Sequence, residues 1–223
     1  MTKKVKKKTA TVRAHQMHVP VSEKNPTGTT IRDQHTRRLK GTYLDLEEIE
    51  KIFKAYDKRN INFPTKGKLD QKNSDKYDDI IAIWCDYFNK KFGTNPPLEP
   101  NVVKALIASE SDFKLDPPGN IKATGIAQIT SETFKALQDP KGEVKEFIFK
   151  NTRKKDLKNA DIAIPMAVRW LSRKKRLAEG KLGRPATAEE IILEYKGLLK
   201  SKSPWKNSAI EKFRKEYGLL TEK

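Results

Sequence analysis

Val102, Val103, Leu106 and Ile107 mark one apolar stripe of a helix predicted over residues 100–111, and the next position on that stripe, 110, is a glutamate. A carboxyl group on an apolar face, in the last turn of a helix, meets two effects of the same sign. Desolvation disfavours its anion, and the negative end of the helix dipole disfavours it further. Such a group can hold a proton near neutral pH and pass it to a leaving oxygen, which makes Glu110 a candidate general acid. The other reading of the position is a carboxylate at the rim of the stripe, facing solvent, and position alone does not choose between them.

The neighbouring residues do discriminate. Ala108-Ser109-Glu110-Ser111-Asp112-Phe113, followed by Ala123-Thr124-Gly125-Ile126-Ala127-Gln128-Ile129, resembles the two signature segments of the lytic transglycosylase family, which is related to goose-type lysozyme. Two further segments fall in the family's order: Asn159-Ala160-Asp161-Ile162 with Ala167 and Leu171, and Glu194-Tyr195-Lys196-Gly197, which is similar to its Tyr-Asn-x-Gly motif. The resemblance spans roughly residues 75–200, and four motifs in order are more specific than any one of them. It implies a lysozyme-like fold, no cofactor, and peptidoglycan glycan strands as substrate. Position by position, it implies that Glu110 is the catalytic acid and base and that Ser111 is its hydrogen-bonding neighbour. It implies that Gly125 lets the backbone approach the saccharide groove, that Gln128 contacts substrate with Ser111 and Gly197 in the same binding set, and that the Tyr195 hydroxyl lies near the catalytic carboxylate. Tyr195 also continues an apolar stripe, so a core role competes. Two positions depart from the family: Ala127 stands where methionine is usual, and Lys196 where asparagine is usual.

Glycosidic cleavage commonly uses two carboxylates, whereas the family implied here manages with one. Its glutamate first protonates the bridge between N-acetylmuramic acid and N-acetylglucosamine, then deprotonates the muramyl C6 hydroxyl to give an anhydro-muramyl end. Asp112 and Asp116 are the nearby candidates for a second carboxylate, and their loop positions read more simply as solvated turn residues. Hydrolysis by a lysozyme-like muramidase is the alternative on the same fold. His15-x-x-His18 with the distant His35 suggests zinc at first sight, but no cysteine or acidic cluster completes a ligand set, so no metal site is expected.

These groups need elements to hold them. Tyr77, Ile80, Ile81, Trp84 and Phe88 followed by Gly93 predict an amphipathic helix over residues 75–92 closed by a left-handed cap. Further helices are expected near 160–179, after Thr187-Ala188-Glu189-Glu190 and after Ser208-Ala209-Ile210-Glu211, the last two patterns reading as capping boxes. Leu46, Ile49, Phe53 and Tyr56 predict a short helix ahead of a polar linker at 60–72. The turn signal Pro117-Pro118-Gly119-Asn120 opens a loop to 129, the only place where strand is expected. The expected class is therefore mainly α: a lysozyme-like domain at 74–223 with a small loop or β-hairpin element, preceded by a basic, partly flexible N-terminal arm at 1–73.

Charge bounds the partners. The 223 residues carry 47 Lys+Arg against 29 Asp+Glu, a formal +18, and residues 1–40 alone contribute eleven basic and two acidic side chains. Nucleic acid, acidic lipid and the carboxylate-rich bacterial wall all suit such a chain. No recognised nucleic-acid module and no aromatic-basic interleaving accompanies the charge, so specific nucleic-acid binding does not lead the reading, and an unaltered Glu110 argues against a catalytically silent wall-binding role. The lone cysteine, Cys85, lies on the 75–92 helix as a small hydrophobe and excludes an internal disulfide. No apolar run is long enough to span a membrane, and no apolar segment follows the lysine-rich start. A wall substrate without a secretion signal implies delivery by phage lysis, a virion or a contact-dependent machine. Residues 1–73 are the expected docking or delivery arm, removable without loss of cleavage.

Overall fold

The computed structural model describes residues 9–12, 15–18, 29–32, 35–38, 42–118 and 122–222. The expectation of flexibility in residues 1–40 falls largely outside these residues, as does part of the Pro117-Pro118-Gly119-Asn120 turn. The chain divides into two compact units, Met1–Tyr43 and Leu44–Lys223.

The first unit corrects the expectation that strand is confined to the loop at 116–129. Four short strands, β1 (Thr9–Val12), β2 (His15–His18), β3 (Thr29–Arg32) and β4 (His35–Arg38), form two antiparallel pairs. β1 pairs β4 with Thr9 opposite Arg38, and β2 pairs β3 with His15 opposite Arg32. Threonine, valine and isoleucine supply the extended preference that the net charge of this segment conceals. A two-residue strand, β5 (Thr42–Tyr43), follows.

The second unit is built around helices. α1 (Leu46–Ala55) is capped by the Asp45 carboxylate, which accepts from the Glu48 amide at 3.0 Å. α2 (Asp78–Phe92) ends at Gly93 with φ 58°, the left-handed cap its sequence predicts. α3 (Pro100–Ser111) carries Glu110 in its last turn. A small antiparallel hairpin, β6 (Ala123–Thr124) with β7 (Ile129–Thr130), leads into α4 (Ser131–Gln138), a two-turn helix too short to announce itself by periodicity. After β8 (Phe147–Ile148) and a 3-10 turn at Lys154–Lys158 comes α5 (Ala160–Leu182), which packs against α2, α6 (Ala188–Tyr195) and the 3-10 turn. α7 (Glu211–Thr221) packs against α3.

Core burial follows the stripes. Trp84, Phe88, Leu106, Ile107, Ala167, Val168 and Leu171 are fully buried, and Phe88 meets Trp84, Tyr87, Phe92 and Phe147 ring to ring. Cys85 is buried among them, and burial pushes its thiol well above the ordinary range. Among the described residues no helix is long and apolar enough to cross a membrane.

Two capping signals part company. Thr187 and Glu190 form the expected reciprocal box, each side chain accepting from the other's amide, at 3.3 and 2.8 Å. Ser208 instead lies in a 3-10 turn and donates its hydroxyl to the Trp205 carbonyl, so α7 starts at Glu211 without a side-chain cap.

The segment at 60–72 is not a free linker. It strings Ile61 and Leu69 into the core as it crosses to α3, where the Thr65 amide donates to Asn101 Oδ1 at 2.8 Å. The fully buried Lys104 of α3 then donates to three acceptors: the Thr65 carbonyl at 2.8 Å, Asp75 Oδ1 at 2.6 Å and Asp78 Oδ2 at 3.1 Å. An ammonium with its three protons placed can remain charged inside a protein. The compact unit begins at Leu44, and Leu44, Ile49, Ile61 and Leu69 all lie in its interior.

Candidate active site

Three segments distant in sequence meet at the C-terminal end of α3. α3 has no basic residue in its last turn, so its negative end must be balanced from elsewhere. Two lysines do this. Lys196, the residue that follows α6, places Nζ 2.6 Å from Glu110 Oε1, and Lys212 of α7 places Nζ 2.9 Å from Asp112 Oδ1. The Glu110 side chain is 19% exposed and that of Lys196 26%, so the pair sits at a surface and both groups remain reachable.

The chain leaves α3 through two non-glycine residues of positive φ, Asp112 at 51° and Phe113 at 60°. Phe113 is thereby turned into the core, where its ring stacks on Tyr77 with centroids 6.5 Å apart. This exit keeps Glu110 at the edge of the core rather than within it.

The hairpin is fastened beside Glu110 by its neighbour. Ser111 is buried, and its hydroxyl lies 2.6 Å from the Ile126 carbonyl in the hairpin loop and 3.2 Å from that of Ile107 in its own helix. That hydroxyl is engaged with backbone, so Ser111 stands as a tie between α3 and the hairpin rather than as an open donor to a ligand. Tyr195, at the end of α6, fastens the loop from the other side by donating to the Ala127 carbonyl at 3.2 Å. Burial, with the Glu110 charge as a second cause, pushes the Tyr195 phenol well above its ordinary range, so it stays protonated. Its proton is directed at the hairpin backbone and not at the carboxylate.

Gly125 and Gln128 bound the tight loop. Gly125 has φ 80° and Gln128 φ 45°, and both the amide and the side-chain Nε2 of Gln128 donate to the Gly125 carbonyl at 2.9 Å. The close approach that requires glycine is to the protein itself, since a Cβ on Gly125 would lie 2.0 Å from the Leu157 carbonyl oxygen in the 3-10 turn. Gly125→Ala is therefore expected to cost about 3 kcal/mol through clash and strained φ. Denaturant unfolding would measure it, and an unchanged midpoint would contradict the stated contact. Gly197, with φ 71°, closes α6, while the Leu198 amide donates back to the Leu193 carbonyl at 2.7 Å.

Of the residues singled out from sequence, the structure brings Glu110, Ser111, Tyr195 and the Gly125–Gln128 loop together. Gly197 lies one residue beyond Lys196, with no neighbour within 4 Å of where its Cβ would be. Asp112 and Asp116 are each ion-paired at the surface, the latter with Lys158 at 2.8 Å. Leu157 and Lys212 carry no local motif; only the folded chain sets them behind Gly125 and beside Asp112. The partner of Glu110 could have been suspected, because position 196 is where the sequence leaves the family pattern.

A mainly helical domain with a small hairpin, presenting a half-buried glutamate at a helix end between that hairpin and a tyrosine-bearing helix, defines the lysozyme-like class of glycan-cleaving proteins. The profile of the Transglycosylase SLT domain family matches residues 87–211, more than half of the chain, and the chain belongs to that family. Membership carries cleavage of the peptidoglycan glycan at the level of the family. No curated protein matches the chain.

Proposed function

We infer that the protein cleaves the β-1,4 bond between N-acetylmuramic acid and N-acetylglucosamine without water, with Glu110 as its acid and then its base. The observation that carries this reading is the placement of Glu110: half-buried at the end of α3, beside a hairpin clamped by Ser111 and Tyr195. Protonated Glu110 gives its proton to the bridging oxygen. The C1–O bond breaks, and its electron pair leaves with the N-acetylglucosamine. The Glu110 carboxylate then takes the proton of the muramyl C6 hydroxyl, whose oxygen bonds to C1. The glutamic acid is regenerated and the product is a 1,6-anhydro end.

The surroundings of Glu110 support a single-carboxylate route. The nearest acidic candidates are held off by lysines, Asp112 by Lys212 and Asp116 by Lys158, so neither is poised over a sugar as the second carboxylate that hydrolysis commonly employs. Ser111, Gly125, Gln128 and Tyr195 act chiefly by setting the hairpin's position against Glu110. Mass spectrometry of muropeptides released from purified walls is the test. Anhydro-muramyl ends are expected, and products heavier by one water, with reducing ends, would assign the protein to the muramidases instead.

A further inference from the structure

In the family resemblance position 196 is an asparagine, a neutral group; here it is a lysine whose Nζ lies 2.6 Å from Glu110 Oε1. Glu110 is its hydrogen-bond partner among the described residues, so one of three ammonium protons is used and two remain. The side chain is 26% exposed and sits at the end of α6 next to Gly197, where it is free to be approached from solvent. The groups around the pair are already committed. The Tyr195 hydroxyl is on Ala127, the Ser111 hydroxyl is on Ile126, and Asp112 is on Lys212. None of them can replace Lys196 at the carboxylate or draw it away.

A carboxylate that is engaged with an ammonium is not a proton donor. The reaction inferred above needs Glu110 to begin protonated, so Lys196 must let go of Oε1 before the bond can break. An acidic group on the substrate would achieve this, since an ammonium at a partly exposed site exchanges one carboxylate for another at little cost. Peptidoglycan supplies such groups next to the scissile bond: the peptide stem on each muramyl lactyl ether carries free carboxylates.

We propose that Lys196 is a charge-operated catch, which holds Glu110 in the substrate-free protein and transfers to a stem-peptide carboxylate on the bound strand, so that glycan bearing acidic stems is cleaved preferentially. Lys196 is thereby a positioning and specificity residue, acting on the chemistry through Glu110. The inference rests on the role given to Glu110 under Proposed function.

The test compares purified wall sacculi with the same sacculi after carbodiimide coupling of their carboxyl groups to methylamine, which neutralises the stems and leaves the glycan intact. Full-length parent protein is expected to release muropeptides about tenfold more slowly from the neutralised wall, the scale of one charge-assisted hydrogen bond. Lys196→Met is expected to cleave the two walls at rates within about twofold of each other. Lys196→Asn, which restores the family residue, should behave in the same way and guards against a misfolded methionine variant. General attraction between a basic protein and an acidic wall persists in both variants, so it cannot mimic loss of the preference. If either folded variant keeps the parent's preference for the unmodified wall, the catch does not exist. Inactivity of both folded variants on both walls overturns it equally, because removing a catch leaves the acid in place. Failure of the Glu110 reading shows itself separately, as undiminished cleavage by Glu110→Gln.

Discussion

Glu110→Gln is expected to lower the rate of wall solubilisation by about 10³-fold, the scale of a lost general acid and base. The amide keeps the shape of the side chain but can neither give up the proton the leaving oxygen needs nor accept one from the C6 hydroxyl. Stability should barely move, because the lost Lys196 contact is a half-exposed ion pair and such pairs contribute little. A normal melting transition with almost no turnover is the expected pair of results. A rate within about tenfold of the parent would remove Glu110 from the chemistry.

The largest expected effect on stability lies at Lys104, a residue with no part in the reaction. Lys104→Met strips the partner from the buried Asp78 and leaves the Thr65 carbonyl without its donor, and breaking a buried pair in this way costs about 3–5 kcal/mol. The loss should depend on pH in a definite sense. Burial pushes the Asp78 carboxyl up to about 6 even with the lysine present. Its folded value lies above its unfolded one, so its contribution is fully present below the unfolded value and is lost as pH rises through about 6. Without Lys104 the ionised Asp78 is uncompensated, so the deficit of the variant is expected to be larger at pH 8 than at pH 5. Asp75 works in the opposite direction, held below the ordinary carboxylate range chiefly by its hydrogen bond to Lys104. Urea unfolding of parent and variant at the two pH values measures the difference; equal deficits would show that Asp78 is not the group responsible.

Much of the catalytic half was legible in the sequence because its signals are local. The stripe ending at Glu110, the cap at Gly93 and the Thr187 box each depend on residues a few positions apart, and each element formed where its pattern placed it. The hairpin was legible through Gly125 and Gln128, although the reason for the glycine was not. Its missing side chain makes room for the carbonyl of Leu157, a contact across about thirty residues of chain that no motif encodes. The same limit explains Ser208, whose pattern reads as a cap until the Trp205 carbonyl takes its hydroxyl. It also explains residues 60–72, where polar composition suggests a linker and only the folded partner, Lys104, reveals a strap. In the N-terminal unit, basic charge masked the β-branched residues that form its strands. The opposition of Lys196 to Glu110 was written in the sequence as a departure, but its meaning needed the distance.

The strap decides where the chain can be cut. Taking away residues 1–43 removes one compact unit whole, whereas taking away residues 1–73 also withdraws Leu44, Ile49, Ile61 and Leu69 and strips the Thr65 carbonyl from the Lys104 ammonium, leaving it only Asp75 and Asp78. A shortened protein meant to isolate the enzyme from its basic extension should therefore begin at Leu44. One that begins at 74 would mix the loss of these core contacts with any task of the extension itself.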